Sequence, residues 1–151
     1  MTDRVDLGLD TSDRPLVLTA RMQAAFDAAC ARAGVTPVIV QGAFMAEHGG
    51  GAAASDGTHD GAGCLDTRTW DLTEEQQDAV LTAARATGWA VWKRDERHGM
   101  EEHHHWLLLD EPGMHPSAAR QQEAYLRGRD GLDADGPDYH PRPDPVPRFP
   151  A

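Results

Sequence analysis

Residues 101–110 read EEHHHWLLLD: two glutamates and three consecutive histidines that run directly into an apolar stretch. Along an extended chain, side chains alternate between faces, so His103 and His105 share one face while His104 points to the other. If HHHWLLLD (103–110) is a strand whose apolar end continues through a core, one histidine face is held against whatever packs on it. Three readings compete: a tag, a solvated surface run and half of a metal site. The run is internal and no linker follows it, which argues against a tag.

Working outward, WAVWKR (89–94) reads as a neighbouring strand, separated from the histidines by a charged loop that runs to Met100. Before it, LTEEQQDAVLTAARATG (72–88) is a helix: Thr73 and Gln76 form a capping box, Val80, Leu81 and Ala84 an apolar stripe, and Gly88 ends it. CLDTRTW (64–70) and TPVIVQG (36–42) read as short strands. LTARMQAAFDAACARAG (18–34) is a helix with Thr19 at its start and Gly34 at its end, and HPSAARQQEAYLRG (115–128) is the last helix, opened by Pro116. The N-terminal residues form a polar lead-in. Between 42 and 63 lie seven glycines, a loop unusually long for so small a chain and of the kind that more often carries function. The pattern predicts an α+β fold, a small antiparallel sheet with the helices packed on one side. It divides into one domain over residues 1–128 and an extended tail over 129–151 that holds six of the ten prolines.

The chain has 151 residues, enough for one domain with a real core. With 25 acidic and 14 basic residues its formal net charge is −11, so nucleic acid and anionic membrane surfaces are poor partners. Cys30 and Cys64 lie in unrelated contexts and make no disulfide framework. No signal pattern opens the sequence and no apolar run approaches the ~20 residues that span a bilayer, so the chain is expected to be cytoplasmic as made.

A catalytic zinc takes three protein ligands of the histidine and carboxylate kind and keeps a fourth position for water. The sequence offers two stations for one. SDGTHDGAGCLD (55–66) places His59 on a glycine-rich turn and Asp66 seven residues later at the start of an extended segment; the histidine cluster is the second. His48 and His98 read as exposed loop residues, His115 as the start of the last helix and Cys64 as a small buried side chain. Either station alone is weak, but two in one small domain reinforce each other.

His59, Asp66 and the His-x-His at 103–105 resemble the zinc motif of the D-alanyl-D-alanine metallopeptidase superfamily, which also includes lysostaphin-type enzymes and the hedgehog signalling domain. VIVQGAF, SDGTHDGAG, EEHHHWLLLD and AARQQEAYLRGRDGL are similar, in the same order from about residue 18 to 133, to segments of small actinobacterial and actinophage members. The resemblance implies a hedgehog-like fold and one zinc ion held by His59, Asp66 and His105. It implies His103 as the first candidate for the catalytic base and Glu102, where dipeptidase-like members keep a glutamate, as the second. Strand alternation turns Glu102 away from the metal unless a bulge intervenes. The superfamily's usual small residues before the aspartate are here Ala62 and Cys64. Where carboxypeptidase members keep an arginine for the substrate's carboxylate, this chain has Gln41; Gln41 and Arg68 are the candidate substrate-binding residues, and Lys93 and Arg94 are further cations. The implied activity is zinc-dependent hydrolysis of peptidoglycan peptides, as a carboxypeptidase or as an endopeptidase of the endolysin kind. A bacteriophage origin would imply release at lysis or attachment to a virion. The alternative is a zinc-binding structural protein that has lost catalysis, with the proline-rich tail docking on a protein partner.

Overall fold

The computed structural model describes residues 3–51 and 57–151. Residues 52–56, which include Ser55 and Asp56 of the SDGTHDGAG segment, lie outside the described residues. Strands β1 (Arg4–Leu9) and β2 (Pro15–Thr19) form an antiparallel hairpin. Then come α1 (Ala20–Ala33), β3 (Ile39–Gln41), β4 (Cys64–Arg68), α2 (Glu74–Thr87), β5 (Trp89–Arg94), β6 (His103–Leu108) and α3 (Pro116–Leu126). β3, β4, β6 and β5 make a four-stranded antiparallel sheet in that spatial order. The architecture is α+β with two small antiparallel sheets, and no helix of the described residues is long and apolar enough to cross a membrane.

The helices begin and end where local chemistry dictates. Thr19 accepts a hydrogen bond from the Met22 amide, and Thr73 and Gln76 exchange the two bonds of a capping box. The hairpin corrects the expected polar lead-in. Val5, Leu7 and Leu9 do alternate with polar residues, and the Asp10 carboxylate organises the turn by accepting from the amides of Ser12 and Arg14 at 2.8 and 3.0 Å.

The expectation that all helices share one side of the sheet is also corrected. α1 and α2 cover one face, where Met22, Phe26, Val80, Leu81 and Ala84 pack on Leu65, Trp89, Val91, Trp106 and Leu108. α3 covers the other, with Ala118 and Tyr125 against Cys64, Ala90, Trp92, Leu107 and Leu109. WLLL is apolar at both parities, so β6 buries both of its faces. Residues 129–151 form no strand or helix beyond a single bridge between Arg129 and Pro137, and they lie over the body. Arg21 donates to the carbonyls of Phe149 and Pro150 at 2.6 and 3.0 Å, and Arg85 pairs with Asp138 at 2.8 Å. Gly88 makes the closest approach: at φ +121 its missing Cβ leaves room for the Phe149 backbone.

Trp106 is the centre of the first core, stacked edge-on against Trp89 at 5.3 Å and tilted against Phe26 at 5.1 Å, with its Nε1–H donating to Thr67 Oγ1 at 2.9 Å. Trp106→Ala should lower the unfolding free energy by about 3–5 kcal/mol, read from the midpoint of denaturant unfolding. A loss below about 1 kcal/mol would show that the tryptophan cluster does not anchor the sheet.

Candidate metal centre

Sheet register brings together residues far apart in sequence. Asp66 of β4 is paired directly with His105 of β6, Gln41 of β3 lies on the other side of Asp66, and Trp92 of β5 lies beside His105. His59 comes from the turn after the glycine-rich loop. That turn is pinned by backbone bonds from Met45 to the His59 carbonyl and from Phe44 to the Gly61 carbonyl. Gly61 is required there, because a Cβ would collide with the backbone of Gly113 and His115.

The three side chains converge on one carboxylate oxygen. His59 Nε2 is 3.2 Å and His105 Nδ1 2.8 Å from Asp66 Oδ1, and the imidazoles meet edge-on with centroids 5.3 Å apart. All three residues are buried, at 1%, 7% and 5% exposure for His59, Asp66 and His105. The outward nitrogens are already committed: His59 Nδ1–H donates to the Gly42 carbonyl at 2.9 Å, and His105 Nε2–H donates to Gln121 Oε1 of α3 at 2.8 Å. Neutral rings so oriented present two lone pairs to a carboxylate, three acceptors with no donor among them. His59 Nε2 accordingly has no hydrogen-bond partner. Such an arrangement calls for a cation at its centre, either a proton or a metal ion.

The spacing suits a metal ion. Ligands 2.0–2.1 Å from a tetrahedral ion stand roughly 3.3 Å apart; the two contacts to Asp66 are 3.2 and 2.8 Å, and all three ligand atoms lie within 4.8 Å of one another. His59, Asp66 and His105 form a group that could hold a metal ion. The electrostatics agree. Burial would raise the Asp66 carboxyl, but the neighbouring His59 and His105 outweigh it and hold it well below the usual carboxylate range. Burial opposes charge on His59 as well, yet Asp66 and the Gly42 carbonyl raise it above the ordinary imidazole value. For His105 burial prevails and the ring stays neutral more readily than usual.

His103 joins the group on its open side. Its Nδ1–H donates to the Glu101 carbonyl at 2.7 Å, and Nε2 lies 3.8 Å from Asp66 Oδ2. Glu102 is not brought to the cluster: its carboxylate accepts from Thr69 Oγ1 at 2.9 Å and pairs with Lys93 at 3.3 Å, on the side of the sheet that carries His104. His104 is buried there, and burial pushes its imidazole down to about 3. Gln41 and Arg68 both line a cleft of about 1280 Å³ that reaches Asp66, His103 and His105. Gln41 Oε1 accepts from Arg14 Nη1 at 2.9 Å, while Arg68 pairs with Asp71 at 3.1 Å and lies over the Trp70 ring. Gln121 and Arg14 escaped the sequence reading; neither α3 nor the hairpin announces that it reaches across to this face.

Comparison with protein-family models, with curated proteins and with solved structures finds no match to this chain.

Metal ligation requires the inner nitrogens unprotonated. Because His59 lies above the ordinary imidazole value of ~6.5, affinity for a divalent ion should begin to fall above that pH as the solution is acidified, with His59 protonating first. Competition with a chromophoric chelator across pH measures this, and an affinity flat down to pH ~5 would remove the histidines from the ligand set. Gln121→Leu should weaken metal binding about 10- to 100-fold without unfolding the chain, since it frees the His105 ring to turn. Unchanged affinity would show that Gln121 does not orient the ligand.

Proposed function

We propose that the protein is a zinc metallopeptidase that hydrolyses peptide bonds of peptidoglycan. The reading is carried by one juxtaposition: the buried His59–Asp66–His105 group has its open side on a cleft, with His103 beside it. A purely structural zinc is closed by four protein ligands and needs neither an open side nor a base. The likeness of the His59, Asp66 and His-x-His segments to the D-alanyl-D-alanine metallopeptidase superfamily supports zinc as the ion and wall peptides as the substrate class.

Zinc, when bound, lowers the pKa of a coordinated water towards ~7 and polarises the scissile carbonyl. The protein's own residues do the rest. His59 and His105 are held in their ligating orientation by the Gly42 carbonyl and Gln121, so the site is set before substrate arrives. His103, whose Nδ1–H is fixed on the Glu101 carbonyl, presents Nε2 to the cleft; this atom takes the proton of the attacking water and returns it to the leaving amine. Glu102 is assigned no step, because Thr69 and Lys93 hold its carboxylate. Gln41 and Arg68 stand on the cleft wall as contacts for the peptide.

His59→Ala and Asp66→Ala should each abolish stoichiometric zinc in elemental mass spectrometry, since each removes one of three protein ligands. His103→Ala should keep zinc and lose roughly 10²- to 10⁴-fold in turnover of purified muropeptides. Full zinc in either ligand variant refutes the site. One zinc per chain with no hydrolysis of any wall peptide refutes the peptidase and leaves the non-catalytic zinc protein.

A further inference from the structure

Six arginines line the cleft, and three of them have a carboxylate in contact. Arg14 is 2.8 Å from Asp10, Arg68 is 3.1 Å from Asp71 and Arg97 is 2.8 Å from Asp95. Arg94 differs. It is 2% exposed, yet among the described residues its guanidinium makes no hydrogen bond and no ion pair, and Nη2 is buried without a partner. Asp130, Asp66 and Asp138 act on it only from beyond contact distance. Asp130 in particular is turned into its own loop, where Oδ1 accepts from the Leu132 amide at 2.9 Å. A guanidinium stripped of water and left unpaired is costly in a folded chain, and a bidentate anion is its natural complement.

Its position connects it to the metal group. Arg94 of β5 is paired with His103 of β6, two residues along the sheet and on the same face as the row that holds Asp66, His105 and Trp92. The guanidinium lies 4.8 Å from the Trp92 ring, and Trp92 in turn stacks on His105 with an interplanar angle of 18°. Burial lowers Arg94 to about 10, so it remains a cation at neutral pH.

We propose that Arg94 is an anion subsite of the cleft, one that receives a carboxylate carried by the peptide beside its scissile amide; as a statement about substrate this rests on the metallopeptidase reading above. The carboxylate can be the end of the peptide or an acidic side chain. In either case Arg94 sets specificity, because an uncharged analogue leaves the guanidinium desolvated and unpaired.

The test uses the full chain loaded with zinc and three small probes: N-acetylglycine with a terminal carboxylate, the α-amide of N-acetylglutamate with a side-chain carboxylate, and N-acetylglycinamide with none. Calorimetry or NMR titration should show at least one carboxylate probe binding about tenfold or more tightly than the uncharged amide, and the tighter of the two identifies the source. In R94Q the preference should vanish while zinc stays at one per chain. R94K, with a charge but no fork, should recover only part of it. Should R94Q not fold, the Arg94 Nε–H resonance of the wild-type protein gives the same answer by moving with a carboxylate probe and not with the amide. Carboxylates and amide binding alike, a preference that survives R94Q, or an unmoved Arg94 resonance overturns the subsite. Zinc content on the same samples separates the two ideas: an Arg94-dependent preference without zinc defeats only the peptidase, and zinc with no preference defeats only the subsite.

Discussion

A single carboxylate oxygen, Asp66 Oδ1, stands within contact of two imidazole nitrogens whose protons are engaged elsewhere. Burying a carboxylate against two lone pairs is unfavourable by several kcal/mol unless a cation joins them. Most of the architecture can be understood as holding that arrangement. The β4–β6 register sets Asp66 opposite His105, Gly61 lets the loop close so that His59 arrives from above, and α3 covers the face and contributes Gln121. Beneath it, the Trp89, Trp106 and Phe26 cluster stiffens the opposite face of the same strands.

The sheet that bears the site was legible because its signals are local. Alternation in HHHWLLLD separates His103 and His105 from His104, and β6 follows that parity: His103 and His105 face the cleft, while His104 lies buried on the other side. The capping box of α2 and the glycine ends of α1 and α2 are equally local, and the helices lie within about two residues of their expected bounds. What escaped is non-local. Nothing in PSAARQQEAYL says that α3 crosses to the histidine face, because Ala118, Gln121 and Tyr125 become a packing surface only once β6 has buried both of its sides. The hairpin was hidden by its solvent-facing leucines: Leu7 and Leu9 alternate like a strand's core face yet are exposed. Arg14 and Arg94 were visible as residues, but whether a buried arginine is paired depends on which carboxylate the fold brings near.

Charge is distributed with similar selectivity. The chain carries a formal −11, yet its cleft gathers six arginines, three of them balanced locally by aspartates of the same turn or loop. Local pairs of that kind fix side-chain positions without changing the field far away. An unpaired buried cation within so acidic a molecule is therefore a focused attraction in a narrow place, and the acidic exterior discourages polyanions as a whole.

Asp66 and His105 are 39 positions apart in sequence, and His59 enters from a third segment. An ion shared by them would act as a reversible cross-link that exists only in the native chain, closing a long loop that the unfolded chain leaves open. Its binding energy would then be folding energy. Free-metal concentration would become a thermodynamic variable of the fold itself, raising the stability by RT ln(1 + c/Kd), where c is that concentration. Metal scarcity would loosen the sheet and its loop together, so that resistance to proteolysis and competence at the site rise and fall as one property.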